Sequence, residues 1–266
     1  MKKPVPDTFQ RGDLYERYVG RWSRQVAPKF LSWLGLPAGR KWLDVGCGTG
    51  ALSGAIIDHC SPRSVVGIEP SPGFLSTARH NLGDRMAPVR STAVHIPLAN
   101  ACVDVTVSGL VLNFIPDPPA ALLEMSRVTR PGGTVAAYVW DYGEKMEFMR
   151  IFWEAAAELD PYAAELDEGR RFPLCTPEGL TELFSQAGLD GIQVEAVDIP
   201  TPVGRFGDYS EPLLGGQGAA PRLVRTLDEV AVERLGERLR ERTPVKEDGT
   251  ISLIARAWAV RARVPD

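Results

Sequence analysis

Between residues 41 and 140, short apolar runs alternate with longer amphipathic stretches. KWLDVG, SVVGIE, VDVTVSGL and TVAAYVW are rich in β-branched and aromatic residues and read as strands, with MAPVRS a weaker one. The segments between them open with helix-start chemistry. Thr49 precedes the run from Ala51, Ser71 precedes Pro72, and Asp117 precedes Pro118 and Pro119. Strands that alternate with helices predict βαβ units and a mostly parallel sheet. Upstream, Leu14, Tyr18, Trp22, Val26, Phe30 and Leu34 recur at helical spacing, and Pro28 predicts a kink in that helix. Downstream, Thr176-Pro177 opens a helix that Gly188 closes. IQVEAVDI and SLIARAWAV read as two late strands. The long insertion between them holds Gly215-Gly216, Gly218 and the charged helix VERLGERLRER, and its length suits a functional cap better than slack loop.

Composition narrows the function classes. A net charge of −4 and a pI near 5.6 give no broad basic surface for nucleic acid. Cys47, Cys60, Cys102 and Cys175 form no CxxC pair and no spacing matched to histidines, so free thiols are expected and no metal site. The start MKKPVPDTFQ lacks the apolar run of a secretory signal, and no stretch is apolar for long enough to span a bilayer. A cytoplasmic location is the expectation.

The most informative segment is LDVGCGTGALS, residues 43–53. Gly46, Gly48 and Gly50 stand where a strand gives way to a helix, so backbone amides can face a ligand at close range. One strand later, VVGIEPS places Glu69 where a carboxylate can accept both hydroxyls of a ribose. The glycine pattern alone also fits a nicotinamide dinucleotide site. Asp44 discriminates, because a carboxylate aimed at this loop repels a pyrophosphate and suits a ligand with an ammonium and a sulfonium.

These residues, followed by STAVHIPLANACVDVTVSGLVLNFIPDP and RVTRPGGTVAAYVW, resemble the class I S-adenosylmethionine (SAM)-dependent methyltransferases. The likeness is to the ubiquinone/menaquinone-biosynthesis-like, type 11 group. It implies an α/β, doubly wound, Rossmann-like sheet of seven strands in order 3-2-1-4-5-7-6, strand 7 antiparallel, with helical lid insertions. On that pattern the chain is one domain. It has an N-terminal helical cap over 1–38, a SAM-binding core over 39–142, and lid insertions at 143–175 and 203–248. The resemblance implies that Gly46, Cys47 and Gly48 pass under the methionine part, with Asp44 near its ammonium. Glu69 would hold the ribose and Pro70 flank the adenine. Ala93 and Val94 would meet the adenine ring, and Gly109 and Leu110 line the site near the sulfur. Thr92 stands where the family often has Asp, so a hydroxyl or backbone contact would replace a carboxylate there.

Methyl transfer to a small acceptor by in-line displacement needs mainly positioning, so no catalytic base is assigned. Asn113, after the fourth strand, and Trp140, Asp141 and Tyr142, after the fifth, are the acceptor-side candidates. Tyr15, Tyr18, Arg21 and Trp22 resemble an amino-terminal helix that closes over the cofactor, with Arg21 placed to pair with the methionine carboxylate. His59, His80 and His95 read as solvated or supporting residues. The same motifs admit a catalytically silent SAM-binding protein, serving as sensor or partner subunit, and, less well, an NAD-dependent oxidoreductase. A nucleic-acid methyltransferase is disfavoured, since the chain reads LNFIPDP where such enzymes carry Asn-Pro-Pro-aromatic.

Overall fold

The computed structural model describes residues 21–215 and 219–266, with side chains from 22 to 213 and from 219 onward. Seven strands form one sheet in the order β3-β2-β1-β4-β5-β7-β6. They are β1 (Lys41–Val45), β2 (Ser64–Ile68), β3 (Ala87–Val89), β4 (Val103–Gly109), β5 (Thr129–Trp140), β6 (Asp190–Val203) and β7 (Ile251–Arg263). The pairs β1–β2, β1–β4, β2–β3 and β4–β5 are parallel, and β5 pairs antiparallel with β7 from Thr134↔Arg263 to Trp140↔Ala257. The expected sheet order and the antiparallel seventh strand are both present.

β1 lies inside the sheet between β2 and β4, and four of its five residues are buried. A parallel strand covered on both faces has no reason to alternate. The chain order reverses between β1 and β4, which leaves a crevice outside their carboxyl ends, the usual ligand position in such sheets.

Helix α1 (Arg21–Leu34) buries Trp22, Val26, Phe30 and Leu34 at four-residue spacing, with Pro28 inside it, and Phe30 meets the Tyr138 ring at 4.8 Å. Leu14 and Tyr18, the start of that stripe, lie outside the described residues. α2 (Ala51–His59) follows β1, α3 (Pro72–Leu82) follows β2, and α4 (Pro118–Val128) follows β4. Ser71 caps α3 through the Phe74 amide at 3.4 Å, and Asp117 caps α4 through the Ala120 amide at 3.0 Å. Thr49 does not cap α2. The residue ahead of that helix is Gly50, left-handed at φ 91°, with no side-chain cap. The glycine turn swings Thr49 away from the helix start and leaves the cap position to backbone alone. α8 (Pro177–Gln186) is capped by Thr176, as its sequence suggests.

The chain divides into two compact units. The core unit comprises Trp22–Trp140, Leu174–Val197 and Ala257–Asp266; among the described residues the second comprises Arg21, Asp141–Pro173, 198–215 and 219–256. The second unit holds α5 (Glu147–Leu159), α6 (Ala163–Leu166), α7 (Glu168–Arg171), α9 (Phe206–Gly215), α10 (Ala219–Val224) and α11 (Glu229–Arg242). Its interior includes Phe148, Phe152 and Trp153 from α5, Tyr209 from α9, and Leu235 and Leu239 from α11. Among the described residues no helix is long and apolar enough to cross a membrane.

Candidate functional site

β1 delivers Asp44 into a fully buried position, 1% exposed. The Ser53 hydroxyl, on the first turn of α2, donates to Asp44 Oδ2 at 2.7 Å. Asp44 Oδ1 is buried with no hydrogen-bond partner. Burial pushes this carboxyl up to about 7, against the pull of the Ser53 bonds, and Glu69 adds a smaller upward push. A carboxylate held this way costs free energy to ionise until a cation arrives.

The loop after β1 is built on left-handed glycines, Gly46 at φ 76° and Gly48 at φ 53°. The amides of Gly46 and Cys47 both donate to the Ile68 carbonyl, at 2.8 and 2.9 Å, which ties the loop to the end of β2. A Cβ on Gly46 would stand 2.6 Å from Val111 Cγ1, so the segment after β4 packs directly on the loop. At Gly48 the same construction meets nothing within 4 Å, so the backbone there faces open space that a ligand can enter.

Glu69 is 7% exposed at the end of β2. Its Oε2 accepts from the Gly48 amide at 3.2 Å and its Oε1 from the Ser71 amide at 2.9 Å. Each oxygen keeps a further lone pair, so two adjacent hydroxyls can still be received. Burial also pushes this carboxyl up, opposed by the two amides. The buried Cys47 thiol, beside Asp44 and Glu69, is pushed up, mainly by burial, and is therefore no nucleophile.

The remaining cofactor candidates flank this centre. Pro70 is exposed just beyond Glu69. Ala93 and Val94 form the tip of a turn closed by the Thr92↔His95 bridge, and Val94 is 42% exposed. Gly109 ends β4 where a Cβ would stand 2.6 Å from the Tyr138 hydroxyl. Leu110 is left-handed at φ 60°, uncommon for a branched side chain, and its amide donates to the Tyr138 carbonyl at 2.7 Å. The Arg21 side chain lies outside the described residues.

Of the acceptor-side candidates, Asn113 and Trp140 fall in the core unit, and Asp141 and Tyr142 in the second. Asn113 is 7% exposed and neither polar atom of its carboxamide has a partner. Trp140 is buried with its indole Nε1 unpaired. Asp141 is buried; its Oδ1 accepts from the Glu144 amide at 3.0 Å and its Oδ2 has no partner. Burial raises its pKa, against backbone hydrogen bonds. The Tyr142 ring packs on Phe172 at 5.7 Å.

Sequence reasoning missed the supports. Ser53 is a lone hydroxyl on a buried helix face, Val111 reads as an ordinary apolar residue, and Arg127 lies in the last turn of the helix that Asp117 opens. Arg127 donates to the Ile96 and Leu98 carbonyls, both at 2.9 Å, and to Asn100 Oδ1 at 2.8 Å, while Glu124 receives the Ile96 amide at 2.9 Å. The i,i+3 spacing of Glu124 and Arg127 was the available signal.

Sheet order, antiparallel seventh strand and glycine loop with two buried carboxylates together define the fold of the class I SAM-dependent methyltransferases. Residues 43–137 match the type 11 family described as "Methyltransferase domain". Malonyl-[acyl-carrier protein] O-methyltransferase of Serratia marcescens is 32% identical over 141 residues, covering 50% of this chain and 51% of that protein. Demethylmenaquinone methyltransferase of Bacillus licheniformis is 26% identical over 180 residues, covering 62% and 77%. The chain thus spans about half the length of the first relative. Among solved structures, phosphoethanolamine N-methyltransferase 2 of Haemonchus contortus, in complex with phosphomonomethylethanolamine and S-adenosylhomocysteine, superposes with a TM-score of 0.61 at 19% identity. That match covers 98% of this chain and 60% of the other, and it speaks to the fold.

Proposed function

We propose that this protein binds SAM at the carboxyl ends of β1, β2 and β4 and transfers its methyl group to a small-molecule acceptor. The observation that carries the reading is the unpaired, buried Asp44 Oδ1 beside an amide-held Glu69. An ammonium would satisfy the first carboxylate, and ribose hydroxyls the second. A pyrophosphate at the glycine loop would meet the Asp44 carboxylate, which disfavours a nicotinamide dinucleotide.

When bound, SAM supplies an electrophilic methyl group on a sulfonium. The chain's part is to hold and to exclude. The glycine loop gives bare backbone at Gly48, the Val94 turn offers an apolar face for adenine, and Gly109 with Leu110 borders the sulfur. Much of the rate would come from aligning the acceptor with the methyl group, for which well-oriented systems gain roughly 7–11 kcal/mol. On the acceptor side, the core unit would contribute Asn113 and Trp140. The named relatives act on chemically unlike acceptors, so they support the reaction class rather than one substrate.

Calorimetric titration of the wild type and Glu69→Ala with SAM, S-adenosylhomocysteine and NAD tests this. The expected result is binding of both adenosyl-sulfur ligands, no response to NAD, and a loss of about 1–3 kcal/mol in the variant. NAD binding without SAM binding would overturn the proposal.

A further inference from the structure

The turn that follows β4 carries a side chain with no structural task. Leu112–Phe114 is a single 3₁₀ turn whose backbone closes on itself, Phe114 N–H to the Val111 carbonyl at 2.8 Å and Ile115 N–H to Leu112 at 3.3 Å. Asp117, four residues on, caps the next helix through the Ala120 amide. Asn113 does nothing of the kind. Asn113 is only 7% exposed, and among the described residues no other side chain leaves two buried polar atoms unpaired. A buried amide without partners is unfavourable, and unlike a carboxyl it cannot shed a charge to relieve the cost. Leucine would fill the place without that penalty. The turn also abuts the cofactor loop, because Val111 packs on Gly46.

Building on the methyltransferase reading, we infer that Asn113 is a specificity-determining residue for the acceptor. It would select a group that offers a hydrogen-bond donor and acceptor side by side: a primary amide, or a hydroxyl next to a carbonyl. The carboxamide presents Nδ2–H and Oδ1 on one edge, and two parallel bonds to such a group satisfy both atoms at once. An isolated ether or ester satisfies only the donor and leaves Oδ1 buried and unpaired, so it is rejected.

The test uses Asn113→Leu and Asn113→Asp in the full chain, with three readouts. Asn113→Leu is expected to melt at or above the wild-type temperature, by up to about 2–4 °C, and to bind S-adenosylhomocysteine within threefold of wild type. Ligand-observed NMR on the S-adenosylhomocysteine-loaded protein then compares benzamide and salicylamide with methyl benzoate and anisole. Wild type should prefer the first pair at least tenfold, and Asn113→Leu should lose the preference. Asn113→Asp keeps the shape and loses the donor, so it should discriminate against benzoate more than against benzamide, even if the leucine variant folds poorly. Equal binding of esters and amides by wild type, binding of none of these probes, or a preference that survives in both variants would overturn the inference. A tenfold loss of S-adenosylhomocysteine affinity in Asn113→Leu would place the residue on the cofactor instead. Failure of the wild type to bind SAM or S-adenosylhomocysteine would sink the methyltransferase reading itself, a separate result.

Discussion

At the scale of single residues, the cost of Asp44 is visible as a proton. Its carboxyl sits at about 7, raised first by burial, and the groups facing it are the Ser53 hydroxyl, Glu69 and Cys47. In the unfolded chain the same carboxyl ionises near 3.8. The folded protein therefore binds the extra proton between those values, and stability from this group falls as pH rises from about 4 to about 7. A ligand ammonium needs the ionised form, so binding expels that proton. The Kd for S-adenosylhomocysteine should tighten about tenfold per pH unit on the acid side of 7 and level off above it. Titrations in buffers of different ionisation enthalpy count the proton directly, and Asp44→Asn should bind weakly with a flat profile. A pH-independent wild type would mean that Asp44 meets no cation. Gly46 makes a second residue-scale case, since Ala there meets both a left-handed backbone and Val111. Gly46→Ala should cost about 2–4 kcal/mol in urea unfolding, and adding Val111→Ala should recover only the packing part. Asp44 and Gly46 were legible because their chemistry depends on residue type and position in one short motif. The orphaned Oδ1 and the Val111 contact were not, since both arise from packing between distant segments.

At the scale of elements, the turn carrying Ala93 and Val94 is held from outside. Arg127 on α4 reaches three acceptors in residues 96–100, and Glu124 takes the Ile96 amide. Arg127→Lys cannot span three acceptors with a planar fork, so it is no conservative change. It should weaken S-adenosylhomocysteine binding several-fold and speed amide exchange across residues 93–100, while exchange in β1 stays as in wild type. Unchanged exchange in that loop would remove the role given to Arg127. Three helices were legible from their cap residue. Ser71, Asp117 and Thr176 each cap as their sequence suggests, because a side chain that bonds three residues ahead is a local device. Thr49 failed as a cap because φ 91° at Gly50 lets the glycine loop, rather than the helix, decide the geometry there. The β3 strand, three residues long, was faint for the opposite reason: at the sheet edge little packing demands a pattern.

At the scale of the whole molecule, the sheet order came from resemblance to a family and not from periodicity, which predicts parallel pairing without fixing neighbours. The polar interior of the second unit had no sequence signal at all. There Arg150 donates to Asp167 at 2.7 and 2.8 Å, with side chains only 17% and 8% exposed, and the Trp153 indole donates to Glu168 at 2.5 Å. Asp167 also caps α7 through the Gly169 amide at 2.9 Å. Removing one member of so buried a pair strands the other, at about 3–5 kcal/mol. Arg150→Met should therefore lower the melting transition of the second unit, and the added Asp167→Asn should restore much of it by deleting the stranded charge. The residues that carry Asp44, the glycine loop and Glu69 all belong to the core unit. Calorimetric Kd values for S-adenosylhomocysteine should accordingly stay within about threefold of wild type in both variants, since each loses no core-unit hydrogen bond. If affinity falls in step with the second unit's stability, cofactor binding draws on that unit's order, and the division of labour argued for the two units is wrong.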